Sequence, residues 1–451
     1  MYWRSSGSVP GGMDLLLYLG VLPVGISSAG FMVNGLVRQG VDKALEKADA
    51  SEQGSTAPAA REEPGVRPAS AMLLAGHINL GLGLDASALL AVSAAPPRPA
   101  LSTRFRDAHN LPIRVSAAEQ LDEQEVIGER EQGIDTAVHE RRALALLSPV
   151  LDELLATVAV SLPRLKRGDE VVVAGLRRSD EAHVDKVLTV ELLVARNWSD
   201  ALLHWLRDWL TQRLIETGVD AQRFDISIKV IGDNGDVWRH IQRLVDVLAT
   251  GAERWHLLLA CDSSVDQGVI QAWQANGLLA TSRNPGGMIP GEGAAGVLLA
   301  GPALEREKVS WLWRPFSPEE DATPMARPAE KRRQLAAAAT QWKQSLALDG
   351  QNVQFVLHDA SQSNDGVVDA ALAAAAVNPD FDFGTGSLSL AACAGELGPV
   401  LPVAQLALAL EQARCSSESV LVLAGTSAQQ RVLTLVSAGS SNQAADLPSI
   451  T

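Results

Sequence analysis

The stretch Gly287-Met-Ile-Pro-Gly-Glu-Gly-Ala-Ala-Gly-Val-Leu-Leu299 decides how this chain folds. A glycine-rich turn holding a single acid, Glu292, runs straight into an apolar segment that reads as a buried strand. On its N-terminal side the pattern is regular. Residues 170–176 and 187–195 have strand composition, and 200–217 is an amphipathic helix carrying Trp205 and Trp209. Strand, helix, strand and helix follow at 225–231, 237–250, 255–261 and 265–276. Alternation of this kind builds a mainly parallel sheet with helices on its faces.

The pattern repeats on the C-terminal side. Residues 294–300 and 309–313 are expected to pair as strands, 329–346 is a helix, 353–358 a strand and 366–377 an alanine-rich helix. A short strand at 387–391, a helix at 400–414 and a hairpin of 419–424 with 431–437 close the body. Farther out, 71–95 reads as a strand and helix stopped at Pro96-Pro97-Arg98-Pro99, and 119–140 is a polar, acidic surface excursion before a helix at 143–162. The expected organisation is an apolar segment at 1–45, a flexible linker at 46–70, two similar α/β halves at 71–290 and 291–440, and a tail at 441–451.

The bulk properties exclude several function classes. The chain has 451 residues, 47% of them hydrophobic and 20% charged, the balance of a globular protein. A formal net charge of -15 disfavours a phosphate-tracking surface and hence a nucleic-acid partner. The three cysteines, Cys261, Cys393 and Cys415, share no metal-ligand spacing, and the eight histidines hold no pair at helical zinc-site spacing. No metal, disulfide framework or cofactor is therefore expected. Residues 15–37 carry no charge and are long enough to cross a bilayer, although Gly, Pro, Ser and Asn dilute them. Two readings stand: a membrane anchor that leaves the body in the cytoplasm, as Arg38, Lys43 and Lys47 would direct, or an apolar helix packed on the body or a partner.

The Pro-Gly-Glu-Gly-Ala-Ala turn before a buried strand resembles the one that β-ketoacyl synthases of the thiolase superfamily carry where their first half crosses into the second. The resemblance implies an α/β fold of two βαβαβ-type halves in which two sheets sandwich helices. It also implies a decarboxylative condensation run by a cysteine at a helix N-terminus, two histidines and a lysine, and each position can be looked up here. Val356-Leu-His-Asp-Ala-Ser-Gln-Ser-Asn-Asp-Gly366 is similar to the segment of the first histidine, with His358 in place. Residues 384–409 are similar to the segment of the lysine and second histidine, with Ala391 near the former and Glu396 at the latter. A carboxylate there would repel the malonyl carboxylate, and its simpler role is an acid at a helix start.

Two registers compete for the nucleophile. One aligns residues 237–251 and the following strand with the nucleophilic helix and its successor, which places Asn234 where the cysteine belongs. In the other, Ala260-Cys-Asp-Ser-Ser264 is itself the elbow and Cys261 the thiol. The first is preferred because Gln271 to Thr281 then fills the space before the Pro-Gly-Glu-Gly turn. Of the glycine-rich closing turn only Gly425 and Thr426 are kept.

The resemblance thus implies a catalytically inactive ketosynthase-like protein whose degenerate catalytic positions are Asn234, His358, Ala391 and Glu396, of which only His358 keeps its residue type, acting as a protein-binding adaptor or scaffold through a partner or self-dimer. By analogy alone, a bacterial secretion or biosynthetic cluster is the setting. Trp198, Trp205, Trp209 and Trp273 are candidate contacts by residue type. The alternative is an acyltransferase or condensing enzyme that uses Cys261 and His358.

Overall fold

The computed structural model of the chain describes residues 69–119, 121, 136–162, 170–173, 176–179, 186–251, 253–302, 309–318, 328–346, 353–361, 364–427 and 430–439. The apolar run at 15–37, the expected linker as far as residue 68 and the tail at 441–451 lie outside them.

The first fourteen elements are β1 (Ser70–Leu80), α1 (Ala86–Ala91), β2 (Ala100–Arg106), β3 (Pro112–Val115), α2 (Val138–Ser161), β4 (Glu170–Val173), β5 (Leu176–Ser179), β6 (Leu188–Ala195), α3 (Asp200–Glu216), β7 (Phe224–Ile231), α4 (Asn234–Leu248), β8 (Trp255–Ser263), α5 (Gln267–Ala275) and β9 (Glu292–Ala300). Then come β10 (Ser310–Trp313), α6 (Pro328–Ser345), β11 (Val353–His358), α7 (Asn364–Val377), α8 (Phe383–Gly386), β12 (Ser387–Ser389), α9 (Leu390–Ala394), α10 (Val400–Ser416), β13 (Ser419–Ser427) and β14 (Gln430–Ala438).

Ten strands form one mixed sheet in the order β12-β11-β13-β14-β10-β1-β9-β8-β6-β7. The order hides a repeat. Numbered within its own half, the set β1, β6, β7, β8, β9 runs 1-5-4-2-3 outward from the middle, and so does the set β10, β11, β12, β13, β14. Strand directions repeat as well: β6 is parallel to β7 and β8, β11 is parallel to β12 and β13, and the last two pairings of each half are antiparallel. The two first strands, β1 and β10, meet antiparallel in the centre.

One expected pairing changes. Residues 294–300 and 309–313 do not pair with each other, because β1 stands between β9 and β10 and takes both. The strand repeat changes over between Ala300 and Ser310, where β9 closes the first set. In addition, the segment from Glu170 folds as a two-stranded hairpin of β4 with β5, apart from the main sheet.

Alternating side chains sort the core into layers. Leu257, Leu259 and Cys261 of β8 join the cluster with α2 and α3, whereas Leu258 and Ala260 face α4 and α10. In the other half, Val356, Leu421 and Leu433 pack with α6 and α7, while Leu357, Val420 and Val432 share the α4 and α10 cluster. The two central helices therefore lie between the half-sheets, with α2 and α3 outside one and α6 and α7 outside the other. α10 is apolar nearly all round its circumference, as a helix enclosed by sheets must be. α2 is long and apolar enough to span a membrane, yet it packs on β1, β8 and β9 as a core helix.

Candidate functional site

The Pro-Gly-Glu-Gly turn is bound on two sides. Gly291 exchanges hydrogen bonds with the Ser264 hydroxyl at 2.8 and 2.9 Å. The Glu396 amide donates to the Ile289 carbonyl at 2.8 Å, and Pro290 bridges to Glu396. Only glycine serves at 291, because a Cβ there would stand 2.2 Å from the Ala394 carbonyl oxygen. The turn thus draws the end of β8, the start of β9 and the segment ahead of α10 to one place. Glu292 itself points the other way, to α2, where Arg142, Ser263 and the Ala118 amide hold it.

Glu396, between α9 and α10, stands within electrostatic reach of two further carboxyl groups, Asp262 near the end of β8 and Asp359 just beyond β11. All three are half-buried. Burial pushes Asp262 up to about 7 and Asp359 up to about 6, and the charge of Glu396 adds to both shifts. Burial also raises Glu396. Desolvation and like charge both disfavour ionisation, so near neutral pH the group holds fewer charges than carboxyls. Gly398, at φ +51°, brings its backbone against Asp262, and a Cβ there would lie 2.4 Å from Oδ2. Its amide donates to Glu396 Oε1 at 3.3 Å. Asp359 accepts from the Gly425 amide at 2.8 and 2.9 Å, so the retained glycine of the closing turn anchors it.

The residues named from sequence fall around this cluster rather than in it. Cys261 is fully buried on the outer face of β8, among the α2 and α3 side chains, and burial lifts its thiol well above the ordinary range. His358 lies on the outer face of β11, stacked on Phe383 at 5.4 Å, with Nδ1 lacking a partner, and burial brings its pKa down to about 4. Strand alternation explains both. The residues that face the central layer are the next ones along, Asp262 and Asp359. Cys261 and His358 therefore sit on opposite outer faces and are not brought together.

Asn234 opens α4 behind the N-cap Asp233, whose carboxylate accepts from the Asp236 amide at 2.9 Å. In strand topology α4 and α10 are equivalents, each joining the third strand of its half to the fourth. Asn234 thus occupies the head of one central helix and Glu396 the approach to the other. Ala391 lies in α9, packed against the central cluster. Of the tryptophans, Trp198 is buried, and Trp205, Trp209 and Trp273 are partly buried against the core, Trp205 and Trp209 stacked at 5.9 Å.

A second polar cluster spans β6, β7, β8 and α4. The buried Glu191 carboxylate takes His240 Nε2 and, at 3.1 Å, His256 Nε2 on Oε2, while Oε1 pairs with Lys229 Nζ and accepts from the Ser227 hydroxyl at 3.2 Å. Spacing rules miss it, because Glu191 is 49 and 65 residues from the two histidines.

No protein-family model matches the chain, and no curated protein matches it in sequence. Solved structures match it in fold. The ishigamide ketosynthase/chain length factor aligns with a TM-score of 0.51 at 15% identity, over 82% of this chain and 100% of that one. A β-ketoacyl synthase from Burkholderia phymatum aligns at 0.51 and 11%, over 83% and 100%. A type II polyketide ketosynthase in complex with its acyl-carrier protein aligns at 0.51 and 11%, again over 83% and 100%. The chain therefore has the thiolase-like fold of ketosynthases and chain length factors.

Proposed function

We propose that this is a ketosynthase-like protein that performs no condensation and works by binding another protein, as an adaptor, a scaffold or one member of a pair. One observation carries the reading: the inward-facing positions at the ends of β8 and β11 and ahead of α10 hold Asp262, Asp359 and Glu396, while the cysteine and histidine beside them face outward. A carboxyl cluster offers no nucleophile for an acyl-thioester, and its ionised fraction repels a malonyl carboxylate. Cys261 cannot supply a thiolate from a fully buried, apolar position. A structural neighbour that holds an acyl-carrier protein makes a protein partner a reasonable occupant of such a fold. The uncharged run at 15–37 supports a tether to a membrane or to that partner.

Incubation with acyl-thioesters followed by intact-mass measurement tests the silent reading, and no covalent adduct is expected. Stoichiometric acylation at Cys261 would establish the condensing-enzyme alternative instead. Sedimentation of the purified chain and pull-down from its native lysate test the binding reading. A monomer that recovers no stoichiometric partner would sink it.

A further inference from the structure

We propose that Glu191, His240 and His256 form a binding site for a zinc-class divalent transition metal, with the Lys229 ammonium group as its competing occupant. The three ligand atoms, a carboxylate oxygen and two imidazole nitrogens, lie within 4.8 Å of one another. A tetrahedral zinc with bonds of about 2.0–2.2 Å sets its ligand atoms roughly 3.3–3.5 Å apart, so small side-chain adjustments close the set. Two nitrogens and one carboxylate suit zinc, cobalt or nickel, and are too few and too soft for calcium or magnesium.

Convergence of the two rings is the feature that points to an ion. Lys229 alone balances the charge of Glu191, so charge pairing calls for neither histidine. Yet both rings, one from α4 and one from β8, turn the same nitrogen, Nε2, toward the same oxygen, Oε2. The site is held from behind: the Ser227 hydroxyl donates to Oε1, the outer contact that fixes a ligating carboxylate in metal centres.

Lys229 is the gate. Its Nζ lies on Glu191 Oε1 and 3.4 Å from His240 Nδ1, with its side chain 44% exposed on the edge strand β7. A metal on His240 Nε2 requires the ring proton to move to Nδ1, where it would face the ammonium group. Metal and lysine therefore exclude each other, and the lysine has open solvent to swing into. The proposal is independent of the silent reading, since none of these residues belongs to the carboxyl cluster at Asp262.

Cobalt(II) titration of the chelator-treated full chain provides the test, read by the intense visible absorption of low-coordinate cobalt. One saturable equivalent, displaced by zinc, is expected. Lys229→Met should bind at least about tenfold more tightly, and His240→Asn and His256→Asn at least about tenfold more weakly, in line with what metal-site contacts contribute. The partly exposed His240 is the variant least disruptive to folding, and far-ultraviolet circular dichroism checks each one. Zinc should also raise the melting temperature of the wild type and leave that of His240→Asn unmoved. Failure of both the wild type and Lys229→Met to bind one equivalent would overturn the proposal, as would binding unchanged in a folded His240→Asn.

Discussion

Arg142 of α2 and Glu292 at the start of β9 form a two-point ion pair inside the protein. Nε donates to Oε2 at 2.7 Å and Nη2 to Oε1 at 2.6 Å, with Glu292 wholly buried. Ser263 Oγ and the Ala118 amide donate to the same carboxylate, and Arg142 Nη2 also reaches the Ala118 carbonyl at 3.0 Å. The one acid in the glycine-rich turn is therefore a bolt between sheet and outer helix, with no place in the carboxyl cluster.

Removing one partner leaves the other charged and buried. Glu292→Gln and Arg142→Met should each cost about 3–5 kcal/mol of unfolding free energy in urea. The double variant should lose much less than the sum, because no orphan charge remains. Additive losses would mean that the two act separately.

The raised pKa of Asp262 makes stability depend on pH in a defined direction. Its folded value of about 7 exceeds the ordinary carboxyl value, so between roughly pH 4 and pH 7 the folded state keeps a proton that the unfolded chain releases. Stability from this group is full below that window and falls as pH rises through it. Asp262→Asn should therefore stabilise the protein by roughly 2–4 kcal/mol at pH 8 and by less than half of that at pH 5. Urea melts at the two pH values decide it, and an equal gain at both would remove Asp262 as the cause.

Gly291 is where the turn meets the segment before α10, with the Ala394 carbonyl oxygen 2.2 Å from any Cβ placed there. Gly291→Ala must push backbone against backbone, for which about 1–3 kcal/mol or more is expected. Because the turn also positions Glu396, the variant should shift the pH dependence of stability that Asp262 sets.

The thiols should separate by burial. Cys415 is exposed, whereas Cys261 and Cys393 are buried; desolvation pushes all three thiols up, with Glu411 adding to the shift at Cys415, so exposure is what separates them. Iodoacetamide at pH 8 is expected to label Cys415 in the native protein and the other two only after unfolding. Native labelling of Cys261 would contradict both its placement and the silent reading.

Much of the fold can be read from residue order. Elements from β6 to α5 lie within a few residues of where their periodicity puts them, and the Pro-Gly-Glu-Gly turn names the architecture. What local pattern does not supply is which face of a strand is which. β8 and β11 are covered on both sides, so Trp255-His-Leu-Leu-Leu-Ala-Cys261 and Val353-Gln-Phe-Val-Leu-His358 are nearly continuous apolar runs with no alternation to mark the inner face. Cys261 and His358 stand out as reactive residue types, while the adjoining Asp262 and Asp359 carry no such mark. The pairing of β1 is equally hidden, because a strand flanked by partners from far along the chain leaves no local trace. The histidines around Glu191 escape sequence reading for the same reason.

The central position of β1 has a consequence for how the body is made. It is the first strand of the described fold to leave the ribosome, yet both of its neighbours, β9 and β10, are synthesised only after residue 291. Until then its hydrogen-bonding edges stay bare, although α2 and α4, made earlier, can already cover its apolar side chains. Vectorial synthesis can therefore pair the N-terminal set of strands only once β9 has emerged, and the high contact order of the β1–β9 pairing makes late, slow assembly the expected folding route.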